Sequence, residues 1–246
     1  MRVAAIYDIH GNLPALEAVL DEILHEGVDQ IVVGGDIVPG PMPRESVSAL
    51  LDLPVPVRFI QGNGERDILA LHRGEELNRV PKRFHEVMRW VASELSPADL
   101  AEFAGWPLTL RLEIRGLGHV LFCHATPRDD NELFTRVTPE RRLRPIFEAT
   151  NAAVVICGHT HMQFDRHVGE VRVVNAGSVG MPYGEPGAYW ALLGAGVVEL
   201  RRTSYDFAAA AERIGETAYP LASEFEVIRP PLESQMLKAF EAAALE

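Results

Sequence analysis

The sequence predicts an α/β fold in a single domain that spans residues 1–246. Two observations support this prediction. In the first two-thirds of the chain, short β-rich runs alternate with stretches whose apolar residues recur at helical spacing. No internal repeat, low-complexity tract or linker divides the chain, and its length is ample for one large hydrophobic core.

The first elements are a buried strand over residues 2–7 and a helix that follows it. Asn12 is placed to cap this helix, Pro14 lies in its first turn, and Gly27 ends it. Its predicted apolar stripe consists of Leu16, Val19, Leu20, Ile23 and Leu24. Further strands are predicted over 30–33 and 57–60, with a short helix over 45–53 between them.

Residues 66–106 are predicted to form a helical insertion rather than a separate domain. Apolar residues follow Pro81 at helical spacing, and Ser96 with Asp99 resembles a capping box for a second helix. Strands then resume over 108–115, 119–123, 152–157 and 171–174. A hairpin over 189–201 and a helical tail from Phe207, interrupted at Pro230 and Pro231, complete the chain.

Composition excludes several classes of protein. Lys and Arg number 23 against 35 Asp and Glu, so the net charge of −12 argues against wrapping nucleic acid or binding an anionic membrane. Two cysteines cannot build a disulfide framework, and no signal-peptide pattern opens the chain. We therefore expect a cytoplasmic protein with no membrane partner, which binds nucleic acid only as a small nucleotide. The oligomeric state is left open.

Metal-ligating side chains follow five of the predicted strands. The sequences at these points are DIH from Asp8, GGD ending at Asp36, GNG around Asn63, CH ending at His124, and GHTH with His159 and His161. Strand ends of an open α/β sheet meet at one edge, so these side chains are expected to converge there. Each motif alone is typical of a turn, but their joint position and order indicate a site.

Imidazole and carboxylate ligands together suit Zn, Mn, Fe, Co or Ni. Seven ligands are too many for one tetrahedral ion, but they suit two ions that share a bridging carboxylate. Two ions about 3.5–4 Å apart can hold both the attacking and the leaving oxygen of an in-line displacement. The sequence therefore predicts two divalent metal ions, with manganese favoured.

With these motifs the chain resembles the calcineurin-like metallophosphoesterases, especially their small bacterial and archaeal phosphodiesterase-like branch. The family order is D-x-H, G-D, G-N, H and G-H-x-H, and the resemblance runs from Asp8 to about Ser178. It implies a four-layer α/β/β/α sandwich. The implied ligands are Asp8, His10, Asp36 and His161 for one metal, and Asp36, Asn63, His124 and His159 for the other. Asp36, His10 and Asn63 are the predicted catalytic residues.

The resemblance implies a phosphoesterase in which a metal-bridging hydroxide attacks phosphorus. Many family members carry a histidine directly after the asparagine, where this chain has Gly64. Because a positioned acid is then missing, we expect phosphodiesters or activated phosphomonoesters of small molecules as substrates. The sequences GDIVPGP and GNGE also argue against a protein phosphatase. Arg66 and Arg128 are candidates for binding phosphate, and Asn175 and Ser178 for orienting ligands.

Two other readings stay open. The chain could be a catalytically weak or inactive scaffold or interaction protein with the same fold, as the missing acid at Gly64 suggests. A metal-dependent amidohydrolase ranks lower, since such enzymes open with H-x-H on the first strand and this chain opens with Asp8 and His10 in D-x-H.

Overall fold

A computed structural model describes residues 1–245 and places them around two five-stranded mixed sheets. The first sheet has the order β10-β9-β1-β2-β3 and consists of β1 (Val3–Ile6), β2 (Gln30–Val33), β3 (Val57–Phe59), β9 (Ala188–Gly194) and β10 (Val197–Thr203). The second has the order β4-β5-β6-β8-β7 and consists of β4 (Thr109–Ile114), β5 (Gly118–Cys123), β6 (Val154–Cys157), β7 (Phe164–Val168) and β8 (Val171–Asn175). Strands β1, β2 and β3 are parallel, as are β5, β6 and β8.

Helices cover the outer face of each sheet. They are α1 (Leu13–Glu26), α2 (Pro43–Leu51), α3 (Asn63–His72), α4 (His85–Glu94), α5 (Pro97–Gly105), α6 (Glu140–Phe147), α7 (Phe207–Gly215) and α8 (Glu233–Ala242). Side chains of β1 alternate between two cores, as a pleated strand requires. Ala4 and Ile6 join the core beneath α1, whereas Ala5 packs between the sheets with Phe122. A third core joins the second sheet to α6 through Leu143. The predicted four-layer α/β/β/α arrangement is confirmed.

The helical insertion packs on the same core as α1. Val87, Met88 and Val91 of α4 are buried in the cluster that contains Leu16. Ser96 begins α5 with the predicted capping box, since its backbone N–H donates to the Asp99 carboxylate over 2.8 Å. The insertion thus extends the outer helical layer. That residues 1–246 form a single domain stays a prediction, and residue 246 lies outside the described part.

Three details differ from the sequence-based expectation. Helix α2 begins at Pro43, two residues before the predicted start. Leu24 is 39% exposed and does not share the buried stripe of α1. Strand β7 was not predicted, because its sequence FDRHV has three consecutive polar residues between two apolar ones and so lacks the alternation of a strand. It is an edge strand that pairs with β8 in antiparallel register. Within residues 1–245, no helix combines the length and apolarity that crossing a bilayer requires.

Candidate metal centre

Seven polar side chains converge where the parallel strands of both sheets end. Asp8 follows β1, Asp36 follows β2, Asn63 follows β3, His124 follows β5, and His159 and His161 follow β6; His10 lies two residues beyond Asp8. Because the two sheets face each other, the loops after all five strands meet at one edge. The structure therefore brings together every residue predicted as a metal ligand, and their role as ligands stays a prediction.

Six of these side chains form two compact groups of possible ligands. Asp8, His10 and His161 make the first group, and Asp36, His124 and His159 make the second. Within each group, the possible ligand atoms lie within 4.8 Å of one another. The Asn63 amide oxygen belongs with the second group, 3.0 Å from Nε2 of His124. These groups match the two predicted ligand sets.

Asp36 lies between the two groups. Its Oδ2 is 3.9 Å from Nε2 of His10 in the first group, and its Oδ1 is 3.5 Å from Nε2 of His124 in the second. The backbone N–H of Gly64 donates to the same Oδ1 over 2.7 Å and fixes the carboxylate in this orientation. One oxygen is thus available to each group, which is what a bridging carboxylate needs.

Backbone carbonyls orient three of the imidazoles. Nδ1 of His10 lies 3.1 Å from the oxygen of Pro39, Nδ1 of His124 lies 2.9 Å from that of Gly34, and Nδ1 of His161 lies 2.7 Å from that of Met181. When Nδ1–H donates to a carbonyl, the neutral ring presents the lone pair of Nε2 to the centre. The surrounding backbone therefore selects the tautomer that binds a cation.

Several buried atoms at the centre lack a hydrogen-bond partner or face another acceptor. Oδ1 of Asp8 is buried without a partner, although Nε2 of His161 lies 3.4 Å away. Nε2 of His10 faces Nε2 of His161 at 3.1 Å, and Nε2 of His159 is also buried without a partner. Turning the Asn63 amide over would give its NH2 group acceptors, yet the oxygen as placed adds one more ligand. Converging acceptors of this kind fit divalent cations.

The ligand loops hold backbone conformations that L-residues rarely adopt. Eight described residues other than glycine have a positive φ, and five of them are predicted ligands. Those five are Asp8, His10, Asp36, His159 and His161, with φ between 48° and 66°. Such conformations cost about 1–3 kcal/mol each and concentrate at functional sites. The strain is therefore consistent with selection for side-chain placement rather than for stability.

Burial and neighbouring charges shift the pKa values of the imidazoles in different directions. Burial opposes charge on His124, yet Asp36 and Asp8 outweigh it and raise the pKa of His124 to about 10. Asp8 likewise raises the pKa of His161 against the effect of burial. Burial and the neighbouring His124 lower the pKa of His159 to about 4. Without cations, each carboxylate thus favours the protonated form of one imidazole, and a bound cation would take the place of that proton because a ligating imidazole is neutral.

Glu65 supports the centre, and the sequence analysis assigned it no role. Its Oε1 accepts hydrogen bonds from the N–H groups of Ile37 and Val38, and its Oε2 accepts from those of Asp36 and Gly62, at 2.7–3.2 Å. The side chain is fully buried, and burial raises its pKa to about 7 while the backbone donors favour the ionised form. Glu65 is the third residue of α3 and accepts from the N–H of the N-cap residue Gly62, which is one half of a capping box; because glycine has no side chain to complete it, the sequence signal is only partial.

Gly64 cannot be replaced by a residue with a side chain without moving the backbone. A Cβ built there would lie 1.9 Å from the carbonyl oxygen of Val38 and 3.0 Å from Oδ1 of Asp36. The close approach is what allows the Gly64 N–H to reach the Asp36 carboxylate. A histidine at this position would clash with the Val38 carbonyl oxygen, so the close packing of α3 on the Asp36 loop requires glycine here.

The two arginines predicted to bind phosphate both pair with acidic side chains. Arg66 bonds to Asp67 and Asp130, and Arg128 bonds to Glu132 with 59% of its own side chain exposed. Their role in phosphate binding stays a prediction.

Residues at the end of β8 and in the loop after it also support the centre. Ser178 donates its hydroxyl to the backbone oxygen of Asp8 over 2.7 Å, and Asn175 donates to that of Gly158 over 2.6 Å. Both contacts brace loops that carry predicted ligands. The ring of Tyr183 stacks on His161 at 5.4 Å between centroids, a contact that no sequence pattern indicated.

Comparisons with known proteins agree with this geometry. The chain is 28% identical over 237 residues to the uncharacterized protein MJ0912 of Methanocaldococcus jannaschii, covering 89% of this chain and 93% of that protein. A metallophosphoesterase from Sphaerobacter thermophilus has a crystal structure that matches with a TM-score of 0.70 and 26% identity, covering 99% of this chain and 98% of the other. The hypothetical protein PH1004 of Pyrococcus horikoshii OT3 shares the fold, with a TM-score of 0.76, 20% identity and 97% of each chain covered.

The profile of the calcineurin-like phosphoesterase superfamily domain matches residues 1–195, which include all seven predicted ligands. With this match over most of its length, the chain belongs to the calcineurin-like phosphoesterase superfamily.

Proposed function

We propose that this protein is a dinuclear metal-dependent phosphoesterase that hydrolyses phosphodiesters or activated phosphomonoesters. The observation that carries the proposal is the pair of ligand groups with Asp36 between them, one carboxylate oxygen toward each. Membership of the phosphoesterase superfamily and the likeness to a metallophosphoesterase of Sphaerobacter thermophilus support a hydrolase. We favour manganese, a cytoplasmic location and a small-molecule substrate.

Each residue of the centre has a separate task in this proposal. The two cations, when bound, supply Lewis acidity and an activated water for in-line displacement at phosphorus. Asp36 would contribute one carboxylate oxygen to each cation, His10 would help to hold the first, and Asn63 would complete the ligand set of the second. Glu65 holds the Asp36 loop in place through its backbone contacts. Ser178 and the Met181 carbonyl keep Asp8 and His161 aimed inward.

The type of substrate follows from charge and from Gly64. The charges of two divalent cations would exceed those of the two aspartates and one hydroxide together. The loaded centre would therefore be positive and would attract an anionic phosphoester, although the chain as a whole is acidic. Gly64 carries no group that could protonate the departing oxygen. Loss of such an acid lowers rates by about 10²–10⁴-fold for a poor leaving group. Esters with weakly basic leaving groups are therefore the favoured substrates.

Hydrolysis of bis-p-nitrophenyl phosphate tests the proposal. We expect Mn²⁺-dependent release of p-nitrophenol that is lost on chelation, and a loss of more than about 100-fold in Asp36→Asn and His124→Ala. His119→Ala is the matched control, because this histidine is exposed at the start of β5 and pairs with Glu113. Activity that chelation and both substitutions leave intact would rule out the proposed function.

The scaffold alternative predicts a different combination of results. Two metal ions bound per chain, with no turnover across a broad panel of phosphoesters, would favour a binding protein that keeps the centre without the chemistry. Metal analysis and the panel are therefore run on the same preparation.

A further inference from the structure

A cavity of about 260 Å³ opens directly beside the centre. Its lining includes His10, Asp36 and Asn63 of the centre together with Pro81, Phe84 and Met88 of the helical insertion. We call it the insertion cavity. At about 30 Å³ for each water, the volume is that of roughly nine water molecules, which suits a ring or a short branched chain. A phosphoester held at the centre would therefore place its organic group in this space.

The far wall of the insertion cavity is apolar. Met88 is only 3% exposed and belongs to the core beneath the first sheet, which holds the wall in place. Phe84 is 36% exposed and lies directly before α4; the Arg83 guanidinium lies over its ring, and Phe84 also lines the cavity. Burial of apolar surface against such a wall favours a ligand that has an apolar face.

The charges around the insertion cavity are already paired. Arg79 lines the cavity and bonds to both carboxylate oxygens of Asp129, at 2.8 and 3.0 Å. Arg66 is held by Asp67 and Asp130, and Asp67 itself lines the cavity. Three carboxylates thus pair with these two guanidinium groups, and of these five groups only Asp67 and Arg79 line the cavity. The one guanidinium in the lining, that of Arg79, is therefore already paired, and the Arg83 guanidinium, which lies over the Phe84 ring at 4.7 Å from its centroid, is outside the lining.

We propose that the insertion cavity is the subsite for the organic group of the phosphoester, and that it selects a small uncharged alcohol with an apolar face. Phe84 is the specificity-determining residue of this subsite. Esters of alcohols that carry a second phosphate or a carboxylate are disfavoured, as are esters of methanol, which leave the apolar wall uncovered. The inference rests on the proposed function, because it places the phosphorus at the metal centre.

Binding of non-hydrolysable phosphonates to the Mn²⁺-loaded protein tests the subsite without requiring turnover. Isothermal titration calorimetry compares methylphosphonate, phenylphosphonate and 4-carboxyphenylphosphonate. We expect phenylphosphonate to bind about tenfold more tightly than methylphosphonate, because its ring covers the apolar wall. The added carboxylate is expected to weaken binding by about tenfold, since it adds a like charge beside Asp67.

Variants then locate the subsite. Phe84→Ala should bring phenylphosphonate to within about threefold of methylphosphonate, while Phe84→Leu keeps most of the preference. Val197→Ala is the control, because it removes an exposed apolar side chain from the β9–β10 hairpin at the opposite end of the first sheet. Asp67→Asn should reduce the penalty on 4-carboxyphenylphosphonate.

The outcomes separate the two proposals. Equal binding of methylphosphonate and phenylphosphonate by the wild-type protein, or a phenyl preference that survives Phe84→Ala, would overturn the subsite, as would a lack of any phosphonate binding. Failure to hydrolyse bis-p-nitrophenyl phosphate while the phenyl preference persists would overturn the proposed function and leave the subsite intact.

Discussion

The loops at the two ends of the parallel strands differ in which residue types hold a positive φ. At the amino end, the turns before β5 and between β9 and β10 place glycine at Gly116, Gly118 and Gly196, where φ is positive. At the carboxyl end, glycine also holds positive φ at Gly11, Gly35 and Gly177, but there aspartate and histidine occupy such conformations as well, at five predicted ligands. Glycine adopts positive φ without the steric penalty that a Cβ imposes.

This contrast shows which parts of the chain are shaped by chemistry. A turn that only reverses the chain uses the residue that fits the backbone best. A turn that must present a carboxylate or an imidazole keeps that side chain and accepts a cost of about 1–3 kcal/mol for each residue. Buried polar atoms without partners, such as Oδ1 of Asp8, add to that cost. The carboxyl end is therefore expected to gain stability from cations, and the amino end is not.

The largest expected effect is stabilisation by metal. At a free cation concentration of 100 times Kd, each site contributes about 2.7 kcal/mol, so two sites raise the free energy of unfolding by about 5 kcal/mol. Asp36→Asn should lose most of this gain, because Asp36 faces both ligand groups. Urea unfolding with and without Mn²⁺ measures the difference, and Val197→Ala should respond like the wild-type protein. If Mn²⁺ raised the free energy of unfolding of Asp36→Asn as much as that of the wild-type protein, the carboxyl end would not be the part of the chain that cations stabilise.

Glu65→Gln gives the next effect. Each carboxylate oxygen of Glu65 accepts hydrogen bonds from two backbone N–H groups, which belong to Asp36, Ile37, Val38 and Gly62. Glutamine replaces one of these oxygens with an NH2 group, which cannot accept, so two of the four N–H groups lose their acceptor. We expect a loss of about 1–3 kcal/mol in stability and a 10–100-fold loss in metal affinity, roughly as for other residues that support ligands.

Asp99→Asn is the matched control for Glu65, because Asp99 occupies the same capping-box position in α5, away from the centre. It should lower stability by about 1 kcal/mol and leave metal affinity unchanged. If both substitutions weakened metal binding equally, Glu65 would have no special role in holding the Asp36 loop.

Gly64→Ala and Gly105→Ala form a second matched pair, since both glycines lie in short helices. A Cβ at Gly64 meets the Val38 oxygen at 1.9 Å, whereas a Cβ at Gly105 meets no atom within 4 Å. We expect Gly64→Ala to lose about 1–3 kcal/mol and Gly105→Ala to gain about 0.5–1 kcal/mol in unfolding experiments. A neutral Gly64→Ala would mean that the Asp36 loop moves freely.

The sequence correctly predicted which side chains converge where metal-ligating residue types directly follow a predicted strand. Asp8, Asp36 and His124 each follow a short apolar run, so topology alone predicts that they meet. The four layers were implied by the resemblance to the metallophosphoesterases, and the α/β class followed from the alternation of strands and helices. Such features depend on local pattern and on rules of chain connection, both of which a single sequence contains.

What the sequence did not reveal depends on long-range contact. Phe84 is one apolar residue among many in the insertion until the fold places it in the lining of the same cavity as Asn63. Tyr183 lies in a loop of irregular conformation and stacks on His161. Arg66 of α3 is held by Asp130, which lies in the loop after β5. Pairings of this kind are set by the three-dimensional path of loops, which no periodicity encodes.

Ala195 gives the smallest effect and the sharpest test of the contrast. It is the one residue at the amino-end turns named above that holds a positive φ, 51°, without being glycine, and it shares a two-residue hairpin loop with Gly196. Asn-Gly is the favoured pair for such a loop, because asparagine tolerates this conformation better than alanine. Ala195→Asn should therefore raise the free energy of unfolding by about 0.5–1 kcal/mol and leave Mn²⁺ affinity unchanged. Urea titration and calorimetry measure the two quantities, and a loss of stability would show that the amino end also carries strain for a purpose beyond reversing the chain.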